Sequence, residues 1–100
     1  MNKWADFGIS HVSYGQDKTQ IYKLKVHEDH VESIGQAVEK RRKNILLGLK
    51  KGQTFTTVFP KYGGLQKGKA VNIIVIDGKE YLRTDNKEEK SDYLENVIEY

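Results

Sequence analysis

An Asp77-Gly78 pair stands between the most apolar run of the chain, Ala70 to Ile76 (AVNIIVI), and a second strand-like run, Glu80 to Thr84 (EYLRT). Two residues that tolerate positive φ, flanked by strand formers, signal a type I′ turn and an antiparallel hairpin. The hairpin belongs to a longer stretch, Gly52 to Asp85, that carries the strongest strand signals and most of the glycines. Thr54 to Phe59 (TFTTVF) is rich in β-branched and aromatic residues and reads as a further strand. Pro60 closes it, and residues 61–68 (KYGGLQKG) read as a glycine-rich connection. Ala70 to Ile76 is expected to be a central strand.

Upstream, Trp4 to Tyr14 and Ile21 to Val26 flank a turn cluster, GQDKTQ, and read as a second antiparallel hairpin. Gly8 marks a bulge or an irregular start. Tyr22, Leu24 and Val26 are expected to face in, with Lys23 and Lys25 facing out. His27 to Gln36 has no firm period and reads as a loop, with at most a short extended piece at Val31. Val38 to Lys51 has helical spacing. At about 100° per residue, Val38, Ile45, Leu46 and Leu49 share one face. Lys40, Lys43, Lys50 and Lys51 lie opposite, around an exposed Leu47, and Gly52 suits a C-terminal cap.

The expected fold is α+β: a strongly curled five-stranded antiparallel sheet or small barrel, ordered β-β-α-β-β-β, with one amphipathic basic helix. A terminal turn docks through Tyr93, Leu94, Val97, Ile98 and Tyr100. One hundred residues make one domain, with residues 4–85 as its core and 86–100 as an acidic segment packed on it. Hydrophobic residues at 37% are too many for a disordered chain, and no apolar run is long enough to span a membrane. The absence of Cys removes disulfides, thiolate metal sites and thiol catalysis. With no signal-peptide pattern in MNKWADFG, a cytoplasmic location is the default expectation.

Charge is unevenly placed. Residues 40–69 hold nine basic residues and no acid, while five acids (Glu88, Glu89, Asp92, Glu95, Glu99) fall in the last 13 residues. Such a division points to an anion-binding face or to an internal or intermolecular charge complement. The candidate anion or nucleic-acid site is Lys40, Arg41, Lys43, Lys50 and Lys51 on the helix, with Lys61, Tyr62, Lys67 and Lys69 on the following loop. Tyr62 offers a stacking ring, and Gly63-Gly64 offers approachable backbone amides. The plainer reading is a solvated helix face and an ordinary hairpin loop.

Arg83, with Thr84 and Asp85, either anchors the acidic tail or presents a fork to an anion. His27, Glu28, Asp29 and His30, with His11 if the first hairpin brings it near, are the only residues resembling metal ligands, and the spacing does not support a metal site. Ser10, Ser13 and Ser33 form no triad pattern with these histidines. No cofactor and no enzymatic activity are expected. Ten aromatic residues and open sheet edges offer surfaces for a protein partner or a second copy of the chain.

The run Gly78 to Asp85 (GKEYLRTD), followed by Asp92, Leu94, Asn96, Glu99 and Tyr100, resembles a small family of prokaryotic and phage-encoded domains of unknown function. The likeness covers roughly residues 5–100 and includes the K-K-G helix end, T-F-T-T and K-Y-G-G-x-x-K-G. Members of that family often have a Trp- and Ser-containing helix start where this chain has EKRRK. They often have Leu-Pro where it has Val97-Ile98. The resemblance implies no activity. Two functions fit best: a small non-enzymatic domain that binds nucleic acid or an acidic protein surface, or a phage-type accessory or inhibitor protein acting on a host enzyme; a small enzyme or ligand binder ranks last.

Overall fold

The computed structural model describes residues 5–16, 19–30, 33–61, 64–85 and 87–100, excepting the side chains at 29–30 and 33–35. Trp4, Val31, Tyr62 and Gly63 therefore lie outside the described residues. The fold is a small α+β arrangement of mostly strands and one helix. Its elements are β1 (Phe7–Tyr14), β2 (Ile21–His30), β3 (Ser33–Arg41), α1 (Arg42–Lys50), β4 (Phe55–Lys61), β5 (Gly64–Ala70), β6 (Asn72–Ile76), β7 (Lys79–Arg83) and β8 (Ile98–Glu99).

The main sheet runs β3-β2-β1-β4-β5, and β8 also pairs with β1. It is mixed and unclosed, rather than a curled antiparallel sheet or barrel. β1 is antiparallel to β2 but parallel to β4 through Phe7–Ile9 and parallel to β8 at His11 and Val12. One edge of β1 is thus shared between two strands. The β6–β7 hairpin forms a separate two-stranded sheet.

The core gathers Ile9, Val12, Ile21, Leu24, Val26, Ile45, Phe55, Val71, Leu82 and Leu94 from every layer. Phe7 stacks on Phe55 at 5.1 Å between ring centroids. Gly48 lets the helix settle there, since a Cβ on it would stand 2.9 Å from Cζ of Phe55.

Four expectations are corrected. Residues 33–41 form strand β3, so the helix starts at Arg42 rather than Val38. Val38 is 53% exposed and takes no part in the core face, whereas Ile45 is buried and Leu46 and Leu49 are half-buried. Strand β3 is an edge held by backbone pairing with β2, so it needs no alternating apolar face. Its terminal Arg41 is extended (φ −93°, ψ 158°), and its N–H donates to Oδ1 of Asn44, which opens the helix.

Second, Tyr22 is exposed and Ile21 takes its core place. The register slips between Ser13 and Tyr14, and one extra residue reverses which side chain faces inward. Third, residues 64–70 form β5 rather than a connection, with Lys61 opposite Gly64. Fourth, β6 is not a central strand. It pairs only with β7, and Val75 is 64% exposed. The anchoring residues of that hairpin are Tyr81 and Leu82 on β7, both buried. The turn itself matches the type I′ expectation, with φ of 51° at Asp77 and 79° at Gly78. Gly52, at φ 90°, closes α1.

The tail docks chiefly through Leu94, while Tyr93, Ile98 and Tyr100 remain partly exposed. Asp92 is the deepest polar anchor. Its side chain is fully buried and accepts the N–H of Ile21 (2.8 Å), the N–H of Leu82 (2.8 Å) and two N–H groups of Arg42 (2.7 and 3.1 Å). One carboxylate therefore joins β2, α1, β7 and the tail. No described helix is long and apolar enough to cross a membrane.

Candidate anion-binding surface

The residues expected to form one basic patch are divided by the fold. Lys40 and Arg41 lie on edge strand β3, and Lys43 lies in the first turn of α1. Lys51 follows α1, while Lys61 ends β4 and Lys67 and Lys69 lie on β5 at the opposite edge of the sheet. Four strand spacings of about 4.8 Å place the two edges about 19 Å apart along the sheet. Lys40 and Arg41 are thus separated from Lys67 and Lys69 by the width of the sheet, while α1 reaches β4 through Gly48 against Phe55. Arg42 turns inward to Asp92 and to the carbonyl oxygen of Glu80.

The acidic residues are largely engaged elsewhere. Glu80 pairs with Lys50 at 2.8 Å, Glu39 with Lys23 at 3.3 Å and Asp77 with Lys90 at 2.6 Å. Asp85 and Glu89 gather round Arg83. Lys40, Lys43, Lys51, Lys67 and Lys69 are exposed, and no carboxylate among the described residues lies within ion-pair distance of their ammonium groups. The acidic tail is thus no complement to these five lysines.

A second cationic surface is assembled by strand pairing among β1, β2 and β3. On the outer face of the sheet, His11 stands opposite Lys25 and Lys25 opposite Glu39, while Ser13 stands opposite Lys23 and Lys23 opposite Arg41. Residues opposite one another on neighbouring strands share a face. Tyr100, carried in by β8 and held by its N–H to the carbonyl of Val12 (2.9 Å), lies across this face. Its ring centroid is 5.2 Å from Nζ of Lys23 and 4.9 Å from Nζ of Lys25. Its hydroxyl donates to Oε1 of Glu39 at 3.1 Å. Burial and that hydrogen bond push the phenol up to about 12. The hydrogen bond from Lys23, then that from Tyr100, hold the Glu39 carboxyl below its usual range.

Tyr22, displaced from the core by the bulge, lies 4.4 Å from the guanidinium carbon of Arg41. Its hydrogen bond raises the arginine further above its ordinary value. The outward alternation of Lys23 and Lys25 was legible in the sequence. Their neighbours Glu39 and Arg41 were hidden by a helical reading of residues 38–41.

The first hairpin also gathers Ser10, His11 and His27. Ser10 sits at a bulge between Ile9 and His11 and is 2% exposed. Its Oγ lies 2.7 Å from Nδ1 of His11 and 2.7 Å from Nε2 of His27. One hydroxyl proton cannot serve both rings, so the serine donates to one neutral imidazole and accepts from the other. Burial, then Lys25 and His27, lower the His11 pKa. A hydroxyl buried this deeply between two rings is placed as a bridge, not as an approachable nucleophile. No group of three metal-ligating side chains gathers among the described residues, and the side chains of Asp29, His30 and Ser33 lie outside them.

Arg83 is 2% exposed. Its fork donates to both oxygens of Asp85 (2.6 and 2.9 Å), and Nη1 donates to the carbonyl of Ser91 (2.9 Å). Hydrogen bonding to Asp85 raises the arginine pKa and lowers that of the carboxyl. The geometry anchors the chain that follows β7. A cleft of about 470 Å³ at Arg83 is lined also by Asp85, Lys87, Glu89, Tyr93 and Glu95, and a separate one of about 530 Å³ is lined by Tyr14, Glu95, Val97 and Glu99, with the saturated Asp92 at its wall. Comparison with family models, with curated proteins and with solved structures finds no match.

Proposed function

We propose that this chain is a small non-enzymatic binding domain for an anionic partner, with nucleic acid as the leading class. The observation that carries the reading is the set of five exposed lysines, Lys40, Lys43, Lys51, Lys67 and Lys69, without carboxylate partners among the described residues. Local energetics favour the same reading. Arg41 and Lys43 flank the N-terminus of α1, and its first turn has no acidic residue. Cations there oppose the helix dipole, a local cost that folding does not require.

The test is to titrate labelled duplex and single-stranded oligonucleotides at low and moderate salt. Neutralising several phosphates makes affinity fall steeply with salt. Substituting Lys40, Lys43 and Lys51 together by Gln should reduce that slope and weaken binding. Absence of binding at low salt overturns the nucleic-acid reading.

A second reading is a phage-type accessory or inhibitor protein acting in the cytoplasm on a host enzyme. Strands β3 and β5 support it, since each presents a sheet edge that another strand can extend. The same edges could join two copies of the chain. A partner retained from lysate after nuclease treatment, at raised salt, would favour this reading over the first.

A further inference from the structure

We infer that the outer face of β1–β2–β3 takes single-stranded nucleic acid, with bases stacked on Tyr22 and Tyr100. This rests on the anionic-partner reading and names both the kind of strand and the surface.

Three observations converge. The first is charge: among the described residues, Lys23, Lys25 and Arg41 share this face with the carboxylate of Glu39. Lys40 and Lys43, both exposed, continue the positive charge around the β3 edge and into α1. A backbone passing along this edge meets cations on the outer face and then at the rim.

The second is the rings. Tyr22 and Tyr100 each have cations over the ring, at 4.4 Å from Arg41 and at 4.9 and 5.2 Å from Lys25 and Lys23. Yet Tyr22 remains 54% and Tyr100 40% exposed. Each tyrosine thus keeps exposed surface beside a cation that can meet a phosphate. Aromatic platforms set among backbone-binding cations are what single strands need, because their bases are free to stack on side chains. A duplex keeps its bases paired and stacked, and reaches such a face only through its phosphates.

The third is preorganisation. Tyr100 is fixed at three points: its N–H on Val12, its hydroxyl on Glu39 and its edge against His11 at 5.9 Å. Tyr22 is turned outward by a bulge and held by Arg41. Neither ring must be ordered when ligand arrives, which reduces the entropy cost of binding.

The experiment is fluorescence anisotropy of the intact chain with labelled oligo-dT, a duplex of equal length and polyglutamate as competitor, at one low salt concentration. Oligo-dT should bind at least about tenfold tighter than the duplex. Tyr22→Leu and Tyr100→Leu should each weaken oligo-dT by about 5- to 150-fold, the range for loss of one stacked base. Duplex affinity should change less than twofold. Tyr100→Phe keeps the ring, loses only the hydroxyl contact with Glu39, and should retain oligo-dT binding. That variant covers the case in which Tyr100→Leu releases β8.

If oligonucleotides bind but the tyrosine variants match the parent, the inference is overturned and the anionic-partner reading stands. Polyglutamate displacing the oligonucleotide at equal charge concentration also overturns the inference alone. If neither polymer binds, both readings fall.

Discussion

Replacing Asp92 by Ala removes a carboxylate on which four segments converge. Two backbone N–H groups, of Ile21 and Leu82, lose their only described acceptor in a region where those residues are 2% and 0% exposed. Leaving a buried donor unsatisfied costs about 1–3 kcal/mol each. The Arg42 side chain, 18% exposed, keeps its contact with the Glu80 carbonyl but loses its counter-charge. Breaking a buried ion pair from one side costs about 3–5 kcal/mol, and this figure overlaps the orphaned donors rather than adding to them. The expected loss is therefore about 3–5 kcal/mol, against a total stability of about 5–15 kcal/mol for a domain of this kind. In urea unfolding followed by circular dichroism, a slope of about 1.5 kcal/mol per M turns this into a midpoint about 2–3 M lower. Asp92→Asn should lose less, because one oxygen remains, though its amide N–H groups face other donors. A double-mutant cycle with Arg42→Met should show coupling above about 0.5 kcal/mol. A loss below about 1 kcal/mol in Asp92→Ala would refute the view that this carboxylate holds the tail, helix and both sheets together.

Two further predictions concern packing and pH. A Cβ at Gly68 would fall 2.1 Å from Oγ1 of Thr57, which accepts the Lys69 N–H, whereas Gly64 faces open space. Gly68→Ala should therefore cost about 1–3 kcal/mol by overpacking. Gly64→Ala should stay within about 0.5 kcal/mol, as surface substitutions do, and equal effects in thermal melts would contradict the β4–β5 packing. The His11 pKa is held below 6.5 by burial and by Lys25 and His27, so the folded state prefers the neutral ring. That preference is fully present above pH 6.5 and is lost as pH falls through the depressed folded value, so stability declines on acidification. His11→Gln should flatten the fall in unfolding midpoint between about pH 7 and 5.5. A variant with the parent's slope would show that another group is responsible.

What could be read from the chain depended on whether a local rule decided the outcome. Asp77-Gly78 and Gly52 were legible because a turn and a helix end require positive φ there, whatever surrounds them. Ile45, Leu46 and Leu49 were legible because helical period and core burial agree. Strands β3 and β5 were not, since both are edge strands held by backbone pairing, and their Lys-, Glu- and Gly-rich sequences carry little strand propensity. The candidate site suffered accordingly. Residues 40–69 hold no acid, but a helical reading of residues 38–41 separates Arg41 from Lys23 and Glu39 from Lys25, their partners across the sheet.

By itself, the amino-acid sequence determined an α+β chain with one short amphipathic helix, a type I′ hairpin and a charge division between residues 40–69 and the tail. These follow from local propensity and composition, which act over a few residues. Only the tertiary structure decided that β1 shares one edge between β4 and β8, that Asp92 leaves the acidic tail for the core, and that two tyrosines lie among three cations on one sheet face. Those outcomes depend on register: a bulge at Tyr22 and a parallel pairing across more than 80 residues of sequence set which side chains meet. No local pattern specifies such pairings, because they arise from competition among all the strands for the same edges.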